Sequence, residues 1–320
     1  MAQRAEVRQV REIVSARQCG ENIFMILLVF WETDAAGAVG QVVRTGRQRG
    51  SAFTWDLNTN NQLRNLWCSP QGSLWVGSTD GNMWTTAKVS WPPPADDTES
   101  DQRQALVPWS ATKLPLMRRH NIKPIMTSVW GTADDDVYVG TFEGGVYHWN
   151  GRAWEQVFTD VNSAINHIHG SARDDVYAVG ERGLILHYDG TAWRRLPYPA
   201  DGGNSDGLTG VRAIAREEVF ICGRSGRILH GSRAGLEVLG EFDPVFYGIG
   251  EFQRRLFLAA GDHGVCELVG NRITVLKDQF GTVGVFENPD LLFFVEPVQP
   301  VPSLIEYDPE NEPQWVRRGF

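Results

Sequence analysis

The chain has 320 residues, of which 42% are hydrophobic and 11% aromatic, so it can bury a sizeable core. Its formal net charge of −9 at pH 7 excludes a general nucleic-acid binder, because such proteins gain affinity from cations set against phosphates. The apolar run IFMILLVFW is too short to span a bilayer, and the charged N-terminus before it lacks the apolar core of a secretion signal. We therefore expect a cytoplasmic protein that binds neither nucleic acid nor membrane.

The first part of the chain predicts short strands. Residues 13–57 divide into four runs rich in β-branched and aromatic residues: EIVSAR, NIFMILLVFW, AVGQVVRTG and SAFTWDL. A similar series begins at Leu63 with LRNLWCSPQGSLWVGSTDGNMWT. It is interrupted over residues 88–110 by KVSWPPPADDTESDQRQALVPWS, whose prolines forbid a central strand. We expect this insertion to be mobile or an appended contact arm, not part of the blade.

An internal repeat follows the insertion. The segment TSVWGTADDDVYVGTFEGGVYHWNGRAWEQV, which begins at Thr127, returns from Asn166 as NHIHGSARDDVYAVGERGLILHYDGTAWRRL. Matching residues such as Trp154 and Trp193 lie 39 residues apart. A period near 40 residues indicates a repeat architecture, and four strands separated by turn residues in each repeat are typical of one blade of a β-propeller.

Three further segments continue the pattern: GVRAIAREEVFICGRSGRILHGSRAGLEVL, YGIGEFQRRLFLAAGDHGVCELVGNRITVL and GTVGVFENPDLLFFVEPVQPVPSLIEYDPENEPQWV. Together they predict one all-β domain over residues 1–320, a seven-bladed β-propeller of four-stranded antiparallel blades, with six or eight blades as the alternatives. The predicted blades are 10–57, 63–118, 124–159, 163–199, 206–242, 244–280 and 281–320. We expect the isolated protein to be a monomer.

The repeat resembles the bacterial propeller repeats of the YVTN and BNR types, in which a VWG-like inner strand precedes a DDVYAVG strand and a GxIxHYDGxxW hairpin. The match covers Leu63 to Val316 and is strongest from Thr127 to Leu239. It implies a fold and leaves the function open, because propellers host enzymes, lectins and scaffolds alike. The segment STDGNMW lacks one residue of a sialidase-like Asp-box, and the dipeptide Trp55-Asp56 lacks the upstream Gly-His of a WD repeat.

Residues that recur in successive blades are expected to serve the blade. They include the paired tryptophans Trp154 and Trp193, the turn glycines Gly151 and Gly190, and the series His148, His187 and His230. Acidic turns also recur, at Asp134 to Asp136, at Asp174 and Asp175, and at Glu217 and Glu218. Two interpretations stay open for them: turn residues that bond backbone amides, or a ring of negative charge that attracts a cationic partner.

Strand direction assigns each loop to one end of the propeller. If the first strand of every blade runs from face T to face B, face B carries the loops between strands one and two and between strands three and four. Face T carries the loops between strands two and three and the links between blades. Its residues differ from blade to blade, and loops on a rigid scaffold often bind ligands. The predicted binding residues on face T are Asp80, Glu143, Glu181, Arg182, Arg224, Asp262 and His263.

Motifs for catalysis and for cofactors are scarce. There is no nucleophile elbow, phosphate-binding loop, HExxH motif or dinucleotide turn. His167 and His169 share one side of a predicted inner strand and could be half of a metal site, but no further ligand is linked to them in sequence. Cys19, Cys68, Cys222 and Cys266 show no CxxC spacing, which is typical of buried free thiols. We expect no cofactor, no metal and no disulfide.

These features favour a non-catalytic propeller scaffold that binds another protein, and an immunity or antitoxin protein against a bacterial toxin is one specific form of this hypothesis. A hydrolase or lyase at the axial channel is the first alternative, with Glu143 and the pair Asp262-His263 as its evident candidate residues. A lectin is the second alternative and would need exposed loop aromatics such as Phe142.

Overall fold

The computed structural model describes residues 9–19, 23–32, 38–48, 51–91, 100–103, 105–118, 121–159, 163–199, 206–296 and 301–320. Within these ranges the chain forms 29 strands and a single three-residue 3-10 helix. The strands make seven antiparallel sheets of four strands, one of them with a fifth strand added. The predicted all-β seven-bladed propeller is therefore confirmed. The described residues contain no helix that is long and apolar enough to cross a membrane.

The strands follow one another in chain order. Blade 1 contains β1 (Gln9–Gln18), β2 (Ile23–Glu32), β3 (Ala38–Gly46) and β4 (Thr54–Thr59). Blade 2 contains β5 (Leu63–Cys68), β6 (Leu74–Ser78), β7 (Asn82–Thr85) and, after the short β8 (Ser100–Asp101), β9 (Ser110–Lys113). Blade 3 contains β10 (Met126–Ala133), β11 (Asp136–Thr141), β12 (Gly145–Trp149) and β13 (Trp154–Thr159).

Blade 4 contains β14 (Ile165–Ala172), β15 (Asp175–Gly180), the 3-10 helix (Glu181–Gly183), β16 (Ile185–Tyr188) and β17 (Trp193–Arg195). Blade 5 contains β18 (Leu208–Ala215), β19 (Glu218–Gly223), β20 (Arg227–Ser232) and β21 (Gly235–Glu241). Blade 6 contains β22 (Gly248–Phe252), β23 (Arg255–Ala259), β24 (Val265–Val269) and β25 (Arg272–Lys277). Blade 7 contains β26 (Val285–Glu287), β27 (Leu292–Glu296), β28 (Ser303–Tyr307) and β29 (Trp315–Gly319).

The first strands of the blades line the axis, and apolar side chains fill the space between neighbouring sheets. One predicted inner column is buried throughout: Leu66, Val129, Ile168 and Val211. Both sheet faces of each blade are covered by neighbours, so second strands such as β11 and β15 are buried along their whole length. The ring closes because β1 of the first blade packs against β26 and β27 of the last.

Among the described residues, no strand of blade 1 pairs with a strand of blade 7, and side chains make the contact between the two blades. The rings of Phe24 and Phe293 meet edge to face with centroids 4.8 Å apart. Nearby, Asn288 Oδ1 accepts a hydrogen bond of 2.7 Å from the backbone N–H of Gln18. Aromatic packing of this kind stabilises beyond the area that it buries.

The insertion after β7 contacts three blades. Its β8 pairs antiparallel with β4, which adds a fifth strand to blade 1. At its other end the ring of Trp91 packs edge to face against Trp75 of blade 2 and Trp149 of blade 3, both at 5.7 Å. The sequence did not predict these two attachments. Residues 92–99 and 104 lie outside the described residues.

The recurring glycines have the predicted role. Gly151 and Gly190 lie between the third and fourth strands with φ of +83° and +89°, a region that favours glycine. A Cβ at Gly190 would lie 2.7 Å from Cβ of Asp174, and one at Gly151 would lie 3.0 Å from Cβ of Asp135. These turns therefore fit only a residue without a side chain.

Candidate functional site

The inner strands of all seven blades surround one cavity of about 670 Å³ on the axis, which we call the axial cavity. Its wall includes residues that follow first strands, such as Ser69 and Pro289, so the cavity reaches face B. A volume of this size is within the range of small-ligand sites, about 300–1,000 Å³. The axial cavity is therefore the candidate functional site.

One wall of the axial cavity carries a guanidinium without a carboxylate partner. Arg17, in β1, donates a hydrogen bond of 2.8 Å to the carbonyl of Ala16, and its guanidinium lies 4.7 Å from the ring centre of Phe286. Among the described residues no carboxylate forms an ion pair with it. Burial lowers the pKa of Arg17 to about 10, against the opposing effect of Cys68 and Glu287, so the side chain remains a cation at neutral pH. Its N–H groups can donate hydrogen bonds to an anionic group of a ligand.

A second arginine of the cavity is neutralised. Arg212 Nη2 lies 3.1 Å from Glu251 Oε2, and its Nη1 lies 2.8 Å from Glu287 Oε2. Burial raises the pKa of Glu287, while the charge of Arg212 opposes this rise. The three side chains come from blades 5, 6 and 7, so the pairing joins three inner strands. Of the two arginines, only Arg17 thus has no carboxylate partner among the described residues.

The two histidines of β14 line the same cavity and serve as acceptors. The backbone N–H of Val211 donates to His167 Nδ1 at 3.2 Å, and that of Ala213 donates to His169 Nδ1 at 3.3 Å. Burial lowers the pKa of His167 to about 4 and the pKa of His169 well below its usual range, and the charge of Arg212 adds to both effects. Both imidazoles are therefore neutral and hold blade 5 against blade 4.

Histidine pairs can also hold metals, but these two bring no further ligands. The described part of the chain contains no group of three or more His, Cys, Asp or Glu side chains arranged to hold a metal ion. The remaining wall is aromatic and amide in character. Trp67 and Trp130 contribute indole rings, and the buried Oδ1 of Asn65 has no hydrogen-bond partner among the described residues.

The cysteines differ from one another. Cys222 and Cys266 are buried between blades, as predicted, whereas Cys19 and Cys68 are half-buried and line the axial cavity. All four are free thiols. The Sγ atoms of Cys19 and Cys68 are 3.7 Å apart.

The predicted binding residues lie in loops at the opposite end of the blades. All of them follow a second strand: Asp80 in blade 2, Glu143 in blade 3, Glu181 and Arg182 in blade 4, Arg224 in blade 5, and Asp262 and His263 in blade 6. The structure pairs two of them, since Arg224 Nη1 lies 2.9 Å from Glu181 Oε1. Glu143 instead accepts a hydrogen bond of 3.1 Å from the backbone N–H of Ile125.

The residues that the sequence offered as catalytic candidates lie on different blades. Glu143 belongs to blade 3, whereas Asp262 and His263 belong to blade 6. Arg182 is exposed, with φ of +58°, and forms no ion pair with another described residue. Phe142, beside Glu143, is 62% exposed. Face T therefore offers an exposed arginine and an exposed aromatic ring on neighbouring blades.

The acidic turns of face B have structural partners. Asp134 accepts hydrogen bonds from Ser73 of blade 2 at 2.7 Å and from the indole of Trp75 at 3.0 Å. Asp135 pairs with Arg173 of blade 4, and Asp174 pairs with Arg216 of blade 5. The partners of Asp134, Asp135 and Asp174 are thus side chains of neighbouring blades, an inter-blade role that neither interpretation of the sequence predicted.

Sequence reasoning singled out His167 and His169 but missed the two arginines of the cavity. Arg17 and Arg212 occupy inner strands, where the propeller pattern calls for apolar side chains, and this departure was the available signal. The two arginines are far apart in sequence and have no counterparts at the repeat period, so only closure of the ring brings them to one cavity.

No protein-family model matches the sequence, and no curated protein matches it. Solved propellers share its fold. The WD40 β-propeller domain of Doa1 aligns with a TM-score of 0.67 and 10% identity, over 97% of this chain and 98% of that one. YCF48 from Cyanidioschyzon merolae aligns with a TM-score of 0.60 and 15% identity, over 96% and 98%. YCF48 bound to a D1 peptide aligns with a TM-score of 0.60 and 13% identity, over 92% and 93%. These identities show the fold alone, and the YVTN and BNR resemblance stays a prediction.

Proposed function

We propose that this protein is a non-catalytic scaffold that binds a segment of a partner protein at the face-B mouth of the axial cavity. The observation that carries the proposal is the guanidinium of Arg17, which forms no ion pair with a described carboxylate, in a cavity of about 670 Å³ that is also lined by Trp67 and Trp130. Arginine and tryptophan are the residue types most enriched among energetically dominant binding residues. A rigid wall built from strands orders little on binding and so loses little entropy.

The ligand that fits best is an acidic peptide segment. A carboxylate placed against Arg17 can form two parallel hydrogen bonds, and the indole rings can cover the neighbouring apolar side chains. The structure of YCF48 with a D1 peptide supports the idea by analogy, since that protein has the same fold. The net charge of −9 acts at longer range and favours encounter with a partner whose overall charge is positive.

A library of random peptides displayed on phage tests the proposal. We expect selection on the full chain to enrich peptides with an acidic residue next to apolar ones. Arg17→Gln should weaken binding of the enriched peptides by about tenfold or more. Arg17→Lys should bind them with intermediate affinity, because lysine restores the positive charge but cannot form the two parallel hydrogen bonds of a guanidinium. Thermal unfolding of each variant confirms that it is folded. Enrichment of no sequence, or binding that Arg17→Gln leaves unchanged, would contradict the proposal.

Face T is the second candidate interface. Phe142 and Arg182 are exposed there on neighbouring blades, and the loops that carry Asp80, Asp262 and His263 lie at the same end. Peptides or partners that lose affinity in Arg182→Ala and Arg224→Ala, but not in Arg17→Gln, would assign binding to face T. An immunity protein would bind its toxin through either the axial cavity or face T. Co-expression with the product of a neighbouring toxin gene tests it, and rescue of growth is the expected result.

A further inference from the structure

Two thiols from neighbouring blades face each other in the axial cavity. Cys68 is the last residue of β5, Cys19 directly follows β1, and their Sγ atoms are 3.7 Å apart. The S–S bond of a disulfide is about 2.05 Å long, so the two sulfur atoms must approach each other by about 1.7 Å to form one. The blades hold the pair together although 49 residues separate the two positions in sequence.

The pair is accessible, and the other two cysteines are not. Cys19 and Cys68 are half-buried and line the cavity, whereas Cys222 and Cys266 lie in the apolar cluster between blades 5 and 6 with no exposed surface. Burial raises the pKa of Cys222 to about 12 and that of Cys266 to about 11, so both stay protonated and inert. The chain thus contains its own unreactive thiols for comparison.

The surroundings favour one thiolate. The thiol of Cys19 donates a hydrogen bond to Cys68 Sγ, and this bond lowers the pKa of Cys68; burial opposes the change and the charge of Arg17 adds to it. The pKa of Cys19 rises, because its proton is shared with Cys68 and burial disfavours its anion. Cys68 is therefore the nucleophile of the pair, and Cys19 is the resolving thiol.

We propose that Cys19 and Cys68 are a redox-active pair that a hydroperoxide converts into a disulfide at the mouth of the axial cavity. The Cys68 thiolate attacks the terminal oxygen of the peroxide, the O–O bond breaks, and hydroxide or alkoxide leaves. Cys19 Sγ then attacks the sulfur of the Cys68 sulfenic acid, the S–O bond breaks, and water leaves with the proton of Cys19. Two thiols lose two electrons in total, and the peroxide gains them.

Oxidation changes the cavity in two ways. The disulfide joins blade 1 to blade 2 next to the cavity mouth. It also removes the thiolate beside Arg17, so the local charge becomes more positive and the cavity becomes a better site for an anion. This inference rests on the thiol geometry alone and holds whether or not a peptide binds in the cavity.

The test oxidises the folded full-length chain with hydrogen peroxide and follows its intact mass. We expect a loss of about 2 Da, which corresponds to one disulfide, and peptide mapping that joins Cys19 to Cys68. In Cys19→Ser we expect the Cys68 sulfenic acid to accumulate, because no resolving thiol is present, and a sulfenic-acid-specific reagent detects it. In Cys68→Ser we expect neither the disulfide nor the sulfenic acid to form. Cys222→Ser and Cys266→Ser are matched controls and should behave as the wild type.

Arg17→Gln separates the electrostatic role from a structural one. Without the guanidinium, the pH at which Cys68 reacts half-maximally with iodoacetamide should rise, while the disulfide still forms at high pH. A folded wild-type protein that keeps four reduced thiols in peroxide would overturn the proposal. So would a cross-link that forms only after denaturation, or one that involves Cys222 or Cys266.

Discussion

His187 Nε2 lies 2.8 Å from Asp175 Oδ1 in blade 4, and both side chains are buried. Ser171, two residues after the inner-strand His169, donates to the same carboxylate. Asp136 and His148 repeat the contact in blade 3 at 2.7 Å. In blade 5 the equivalent pair, Glu218 and His230, is 4.0 Å apart and partly exposed. The recurring histidine therefore ties the second strand of a blade to the third.

The electrostatics of this contact follow from its partners. Burial alone would raise the pKa of Asp136, but hydrogen bonds from His148 and Thr132 overcome it and hold the pKa below its ordinary value. A carboxylate with a lowered pKa in the folded state contributes stability above its unfolded pKa of about 3.9, and this contribution is lost as the pH falls through the folded value. Asp136 thus stabilises blade 3 as an anion.

Asp175→Ala should reduce the free energy of unfolding by about 3 kcal/mol, because it leaves His187 buried without its charged partner. Urea denaturation followed by tryptophan fluorescence measures the change. Asp174→Ala, one residue earlier, removes only the exposed ion pair with Arg216 and should leave the urea midpoint where it is. Equal midpoints for the two variants would contradict the structural role assigned to Asp175.

Acid should weaken the fold as the pH falls from about 6.5 to about 4, because the pKa of His167 is about 4 in the folded state and about 6.5 in the unfolded chain. A base whose pKa is lowered by folding contributes stability that is present above pH 6.5 and is lost as the pH falls towards 4. The loss from this residue is about 2–3 kcal/mol. The measurement is the free energy of unfolding at a series of pH values between 7 and 4.

His167→Asn should flatten this pH dependence, since the amide oxygen can still accept from the N–H of Val211 and does not titrate. His263→Asn replaces an exposed histidine of face T and is the matched control, which should keep the wild-type slope. The same slope in His167→Asn and in the wild type would show that another group causes the acid sensitivity.

Ring closure should depend on aromatic packing between the first and last blades. Phe293→Ala removes a fully buried ring from its contact with Phe24 and should cost about 3–5 kcal/mol of unfolding free energy. Phe142→Ala removes a ring that is 62% exposed and should have no measurable effect on the urea midpoint. A small effect of Phe293→Ala would mean that other contacts suffice to hold blades 1 and 7 together.

The sequence predicted the features that repeat and missed those that do not. The period of 39 residues between Val137 and Val176 indicated the blades, and the recurrence of Gly190 and His187 indicated their structural roles. The two arginines of the axial cavity do not recur at this period. Arg17 and Arg212 line the same cavity because seven inner strands close around an axis, and this long-range geometry leaves no local pattern in the sequence. Pairing of β8 with β4 was missed for a related reason, since two residues at a sheet edge carry no periodicity.

The last prediction concerns the insertion between β7 and β9, which Trp91 attaches to blades 2 and 3 through Trp75 and Trp149. Trp91→Ala should remove this attachment and raise the rate of tryptic cleavage at Lys88 and Arg103, because a protease needs the local chain to leave its packed position. Leu106→Ala alters a side chain of the same insertion that is 58% exposed, so cleavage should proceed at the wild-type rate. The products can be identified by mass spectrometry after brief digestion at low trypsin concentration. If Trp91→Ala and the wild type are cut equally fast at both sites, the aromatic contact does not hold the insertion, and its pairing through β8 is the attachment that matters.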